Sequence, residues 1–250
     1  TATNTTTEFQ TGAPGTLLLE AGDSLGTTTN RLDLQVPTVA ATSAGTTAAG
    51  DIFLNQVAAG GALTVDTAIG LDGRANLSGI TTQANNNDIT VTVQAGSLTV
   101  TQPVTAHGSG NVALQAIGAA SDVNVNGTTV SSTTGNLQVR AGQSILTSTA
   151  TNTTTEFQTG APGTLLLEAG DAIGTAANRL DLQVPTVAAT SAGATAAGDI
   201  FLNQVAAGGA LTVDTAIGLD GRANLAGLTT AANNNDITVT VQAGSLTVTQ

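Results

Sequence analysis

Residues 1–102 return almost unchanged as residues 149–250, displaced by 148 positions. Eight pairs differ: Ser24/Ala172, Leu25/Ile173, Thr28/Ala176, Thr29/Ala177, Thr46/Ala194, Ser78/Ala226, Ile80/Leu228 and Gln83/Ala231. The segment 103–148 occurs once. So strict and long a period marks an array whose units bury their apolar faces against one another. The expected organisation is one continuous solenoid without a linker, with 1–148 a full super-repeat and 149–250 a partial second copy equivalent to 1–102. The copy stops mid-repeat, the chain has no methionine, and Thr1 opens no signal-peptide pattern, so we read an internal segment of an array continuing past both ends.

A shorter beat runs inside the long one. Leu17-Leu18-Leu19-Glu20-Ala21-Gly22, Val91-Thr92-Val93-Gln94-Ala95-Gly96 and Leu137-Gln138-Val139-Arg140-Ala141-Gly142 share one pattern, with looser versions at Leu32-Asp33-Leu34-Gln35, Ile52-Phe53-Leu54-Asn55 and Val112-Ala113-Leu114-Gln115-Ala116. Period-two alternation of this kind marks strands with one buried face. A second short strand follows the Ala-Gly, as in Leu98-Thr99-Val100 and Val123-Asn124-Val125. Between strands stand turn formers: Gly50-Asp51, Asp72-Gly73, Asn87-Asp88, Gly110-Asn111 and Gly135-Asn136. Anchors at 19, 34, 54, 93, 114, 139 and 167 divide the period into about seven coils, roughly 21 residues each, if the wide step from 54 to 93 hides a strand near Ala75-Asn76-Leu77. The expectation is an all-β fold, a right-handed parallel β-helix or β-solenoid, with about twelve coils in a rod of roughly 57 Å.

The composition suits a narrow tube. Aromatics make up only 2% of the chain, while Val, Leu, Ile and Ala are sized for stacked columns and the 47 threonines suit outward strand positions. It also excludes function classes. A net charge of −12, with five arginines and no lysine, leaves no basic footprint for nucleic acid. No window approaches 18 continuous apolar residues, so no membrane-spanning segment is expected. With no cysteine, disulfide scaffolds, thiolate metal sites and thiol nucleophiles are excluded.

The phrases Gly135-Asn136-Leu137-Gln138-Val139-Arg140-Ala141-Gly142, Gly110-Asn111-Val112-Ala113-Leu114-Gln115-Ala116 and Asn87-Asp88-Ile89-Thr90-Val91-Thr92-Val93-Gln94-Ala95-Gly96 resemble the repeats of filamentous haemagglutinin-like adhesins, giant repetitive bacterial surface proteins. The resemblance implies a secreted or surface-attached, non-catalytic shaft. Its partners would be the neighbouring repeats of its own chain, with lateral or end-to-end association into filaments.

Side chains able to do chemistry are few. His107 stands in a glycine-rich turn, Ala106-His107-Gly108-Ser109-Gly110, where a solvated turn residue is the economical reading. Asp66 and Asp72 recur as Asp214 and Asp220, and Arg74 recurs as Arg222. Paired carboxylates beside an arginine raise the alternative of a carbohydrate-binding or carbohydrate-cleaving β-helix, against which Asp72-Gly73 reads as a tight turn with Arg74 as its neutralising neighbour. The same four aspartates head the candidate ligands for Ca2+, with Asp23, Asp51, Asp88 and their copies beside them, since a hard cation takes acidic turn oxygens, although the nonapeptide calcium signature is absent. The Phe9/Phe157 and Phe53/Phe201 pairs read as strand packing rather than sugar platforms.

Overall fold

In a tube of stacked coils each strand finds its partner one turn away, so all pairing along the shaft is parallel. The computed structural model shows this, a parallel β-solenoid of about 8 turns with almost no helix. The structure describes residues 6–45, 50–83, 86–151, 153–193, 198–231 and 234–250.

Two large sheets carry the coils. The first stacks Phe9–Gln10, Leu32–Gln35, Ile52–Gln56, Ile89–Val93, Val112–Ala116, Leu137–Ala141, Thr164–Ala169 and Thr186–Ser191. Its register runs straight up the tube, Leu54 to Val91 to Leu114 to Val139 to Leu167. The second sheet begins at Thr16–Ala21 and Thr38–Ser43, then divides. The first half of Thr38–Ser43 pairs with Leu63–Val65 and the second half with Ile80–Thr82. The two columns continue separately through Leu98–Val100 and Val104–Ala106, then rejoin at Ile200–Gln204, which contacts Ile173 with its first residue and Leu180–Gln183 with its remainder. Inward Leu, Val and Ile of both sheets form one continuous core, most of it fully buried. Each such side chain contributes about 1.5–3 kcal/mol.

The parallel β-helix is as the sequence predicts, but its beat is longer. Stacked partners lie 22 to 28 residues apart, stretching to 35–39 only around one loop in each cassette. Five full turns carry Leu34 to Ala169, and Leu182, the copy of Leu34, lies half a turn further, in the opposite sheet. The 148-residue period therefore holds about five and a half turns, not seven coils, and 8 turns span roughly 38 Å. Two misreadings account for the difference. Leu19 and Leu34, read as successive coils, face each other across the tube in opposite sheets. The wide interval after Leu54 is a single turn, and Leu77–Ser78 within it belongs to an antiparallel hairpin leaving the shaft.

The half-integral count makes the two sheets exchange roles at every period. Thr16–Ala21 lies in the second sheet and its copy Thr164–Ala169 in the first; Ile52–Gln56 lies in the first and Ile200–Gln204 in the second. The division that opens the second sheet above Thr38–Ser43 opens the first sheet above Thr186–Ser191, with Leu211–Val213 on one side and Leu228–Thr230 on the other.

Polar ladders seal the corners. Asp51 Oδ1 accepts the Asp88 N–H at 2.8 Å, Asp88 Oδ1 accepts Asn111 N–H and Nδ2 at 2.8 and 3.0 Å, and Asn111 Oδ1 does the same for Asn136 at 2.9 and 3.1 Å. Burial pushes the Asp88 carboxyl above its ordinary range, opposed by the Asn111 N–H. This is why Gly-Asn or Asn-Asp recurs before the strands. The preceding glycines stack so closely that a Cβ on Gly110 would meet the Asn87 carbonyl oxygen at 2.2 Å, and one on Gly135 the Gly110 oxygen at 2.1 Å.

Candidate functional site

The loop that breaks the beat is the most distinctive surface feature, and it holds the four aspartates that head the candidates. Thr67–Ala68 and Leu77–Ser78 pair antiparallel as a hairpin, and Thr215–Ala216 and Leu225–Ala226 repeat it. At the tip, Asp72 and Asp220 both adopt φ 53°, followed by Gly73 at 80° and Gly221 at 77°. Positive φ at two successive central residues is the hairpin turn that Asp-Gly favours. It is closed by Arg74 N–H to the Leu71 oxygen at 3.0 Å and Arg222 N–H to the Leu219 oxygen at 2.9 Å. A Cβ on Gly70 would meet the Arg74 oxygen at 2.2 Å, so only glycine permits the strands to cross there. At the base, Asp66 Oδ1 accepts Thr67 N–H at 2.7 Å while its carbonyl accepts Gly79 N–H at 3.1 Å. Asp214 accepts Thr215 N–H at 2.7 Å and Gln250 Nε2 at 3.0 Å. The Thr249 hydroxyl, then the Thr215 N–H and Gln250, hold its carboxyl below the usual carboxylate range.

Asp66 and Asp72 thus occupy opposite ends of one hairpin, base and tip, and Asp214 and Asp220 do likewise. Among the described residues, no three His, Asp or Glu side chains are grouped as a metal ion would require. The arginines have their own partners. Arg74 Nη1 reaches Glu20 at 2.9 Å, and Arg222 grips Glu168 through Nη2 at 2.7 Å and Nε at 3.1 Å.

The second hairpin lies back along the outside of the first sheet. Near its base Ile217 N–H donates to Thr164 Oγ1 at 3.0 Å, and Ala216 with Leu225 covers Leu166 and Ala188. Further down, Leu219 N–H donates to Gln138 Oε1 at 2.6 Å, and Gln115 Nε2 donates to Asp220 at 2.6 Å. The other Asp220 oxygen pairs with the guanidinium of Arg31, which Thr92 steadies through Nη1 at 2.6 Å. Strands of the first cassette and of the unique segment thereby hold a loop of the second. Nothing in the residue types of Arg31, Gln115 and Gln138 announces this from sequence, because the contacts join residues 81 to 189 positions apart.

His107 sits, exposed, beside a shallow polar shelf formed by Thr105, Ser131, Ser132, Thr133, Gln158 and Gln183. Its ring Nδ1 contacts the Thr82 carbonyl and its N–H donates to Thr82 Oγ1 at 3.3 Å, so it is tied to the adjacent coil as a turn residue. No helix among the described residues is long and apolar enough to cross a membrane. No family model, curated protein or solved structure matches the chain.

Proposed function

We propose that this chain is a length of non-catalytic structural shaft from a secreted or cell-surface filament or adhesin, of the filamentous haemagglutinin-like kind that its repeats resemble. It serves surface extension, attachment or matrix formation. The observation carrying this reading is that a near-identical cassette continues the same parallel stack without interruption, so copying it adds length and little else. Each period adds five and a half turns, about 26 Å of rod. Its partners are the neighbouring repeats of the same chain, with lateral or end-to-end self-association. An acidic surface at net charge −12 keeps such rods apart at low salt.

The test is length against copy number. Chains with one, two and three cassettes, imaged or measured by small-angle scattering, should lengthen by about 26 Å per cassette, with antibody labelling of intact cells placing the protein outside. Lengths that do not grow with copy number, labelling only after lysis, or cleavage of a polysaccharide panel abolished by Asp72→Asn would overturn it.

A further inference from the structure

The first hairpin carries the same tip as the second and rests its base on the sheet, but among the described residues nothing lies beneath its tip. Its host strand, Thr16–Ala21, is the first of its sheet and, among the described residues, pairs with Thr38–Ser43 alone. Ile69 N–H still donates to Thr16 Oγ1 at 3.2 Å and Arg74 still reaches Glu20. Beyond that strand the tip overhangs the tube, with Leu71 76% and Ile69 61% exposed. In the second hairpin the strands below the host are present. Leu219 is half-buried there and Ile217 falls to 38%.

We infer that the overhanging tip of hairpin 67–78 is a docking surface, and that the occupant it fits is a further copy of cassette 1–148 laid ahead of Thr1. That copy would present its equivalents of Arg31, Gln115 and Gln138 to Asp72 and Leu71. The same tip sequence already sits on those three side chains one period along, the Asp220 carboxylate on the Arg31 guanidinium and the Gln115 amide, and the Leu219 N–H on the Gln138 amide oxygen. A preceding cassette would also end in the segment 103–148, whose strand Leu137–Ala141 pairs with Thr164–Ala169, and so would cover the edge that Thr16–Ala21 leaves open. Each hairpin then straps its cassette to the one before, on alternate sides of the shaft because the sheets exchange roles. The array is tied over several turns and not only by nearest-neighbour stacking. The inference rests on reading the chain as part of an array.

The chain has no cysteine, so one introduced thiol is unique. Leu71→Cys and Leu219→Cys are compared for their rate of maleimide labelling in the 250-residue chain, and Leu71→Cys again in a chain with one more copy of 1–148 ahead of Thr1. Leu71→Cys should label about tenfold faster than Leu219→Cys in the shorter chain, and slow to the Leu219→Cys rate in the longer one. Changing the added copy's equivalent of Arg31 to Glu should restore fast labelling. Hydrogen exchange at Leu17 and Leu19 reports whether the added cassette stacks. Stacking without slower labelling overturns the strap, and so does failure to stack. If the longer rod still gains its 26 Å, the shaft stands while the strap falls.

Discussion

Hairpins 67–78 and 215–226 differ by one residue, Ser78 against Ala226, yet one overhangs the end of the tube and the other is gripped at its tip by Arg31, Gln115 and Gln138. Their host strands diverge in the same way. Thr164–Ala169 is buried at all but one position, whereas most of Thr16–Ala21 is half-buried or exposed. At the far end the order reverses, with Ile89–Val93 buried throughout and its copy Ile237–Val241 half-buried or exposed at every position. In a solenoid a residue's environment belongs to the coil above and the coil below. Two identical stretches therefore carry different energies wherever one lies at the end of the stack.

The largest expected break in this comparison is in the core. Phe157 is fully buried between Val130 and Leu182, while its copy Phe9 is half-buried and, among the described residues, pairs with Leu34 alone. Phe157→Ala should cost about 3–5 kcal/mol and Phe9→Ala about 1 kcal/mol or less. Urea unfolding of both variants measures it, and equal losses would show that stack position is not what separates the copies. A pH effect comes next. Glu156 is 1% exposed at the seam between cassettes. Its carboxyl accepts Thr147 Oγ1 at 3.0 Å, Thr149 Oγ1 at 2.5 Å and Asp181 N–H at 2.7 Å. Burial first, with the Asp181 charge adding to it, pushes its pKa from 4.5 to about 7 against those hydrogen bonds. The folded state then holds a proton that the unfolded chain has released, so stability falls as pH rises from about 4.5 to 7, by at most about 3 kcal/mol. Urea midpoints at pH 5 and pH 8 should differ less in Glu156→Gln than in the parent chain. An unchanged difference would remove Glu156 as the source.

The parallel β-helix was legible because its signals are local. Leu137-Gln138-Val139 alternates, Gly135-Asn136 turns, and a tube with few aromatics selects Leu, Val and Ile. Asp72-Gly73 was legible as a tight turn for the same reason. The number of coils was not, since alternation marks a strand without saying which sheet it joins. Leu19 and Leu34 look like one coil and the next, yet they stand half a turn apart. The hairpin was also hidden, because Leu77–Ser78 carries no mark that its partner is Thr67–Ala68 rather than another coil. The least legible feature was the strap. Arg31 and Asp220 meet only because five and a half turns per period bring the second cassette's hairpin over the sheet that carries the first cassette's Arg31.

Smaller substitutions probe the strap itself. Asp220→Asn removes the charge facing Arg31 in a partly buried pair and should cost about 1 kcal/mol, whereas Asp72→Asn at the overhanging tip should be near neutral. Hydrogen exchange in each hairpin reads this locally, and equal responses would mean that the contacts of Asp220 do not hold its tip. The smallest difference belongs to the arginine pairs. Arg222 makes two contacts with Glu168 and is 39% exposed in its side chain, while Arg74 makes one with Glu20 and is 70% exposed. The Glu168 carboxylate raises the Arg222 pKa further, the direction expected of a charge-assisted pair. Solvent screening keeps both pairs weak, so Arg222→Ala should cost a few tenths of a kcal/mol, about 0.5 at most, and Arg74→Ala about 0.2 or less. Raising salt to about 1 M shortens the screening length to roughly 3 Å and should erase the gap. A gap that survives high salt would assign it to the packing of the Arg222 stem, and the two hairpins would then differ in contact rather than in charge.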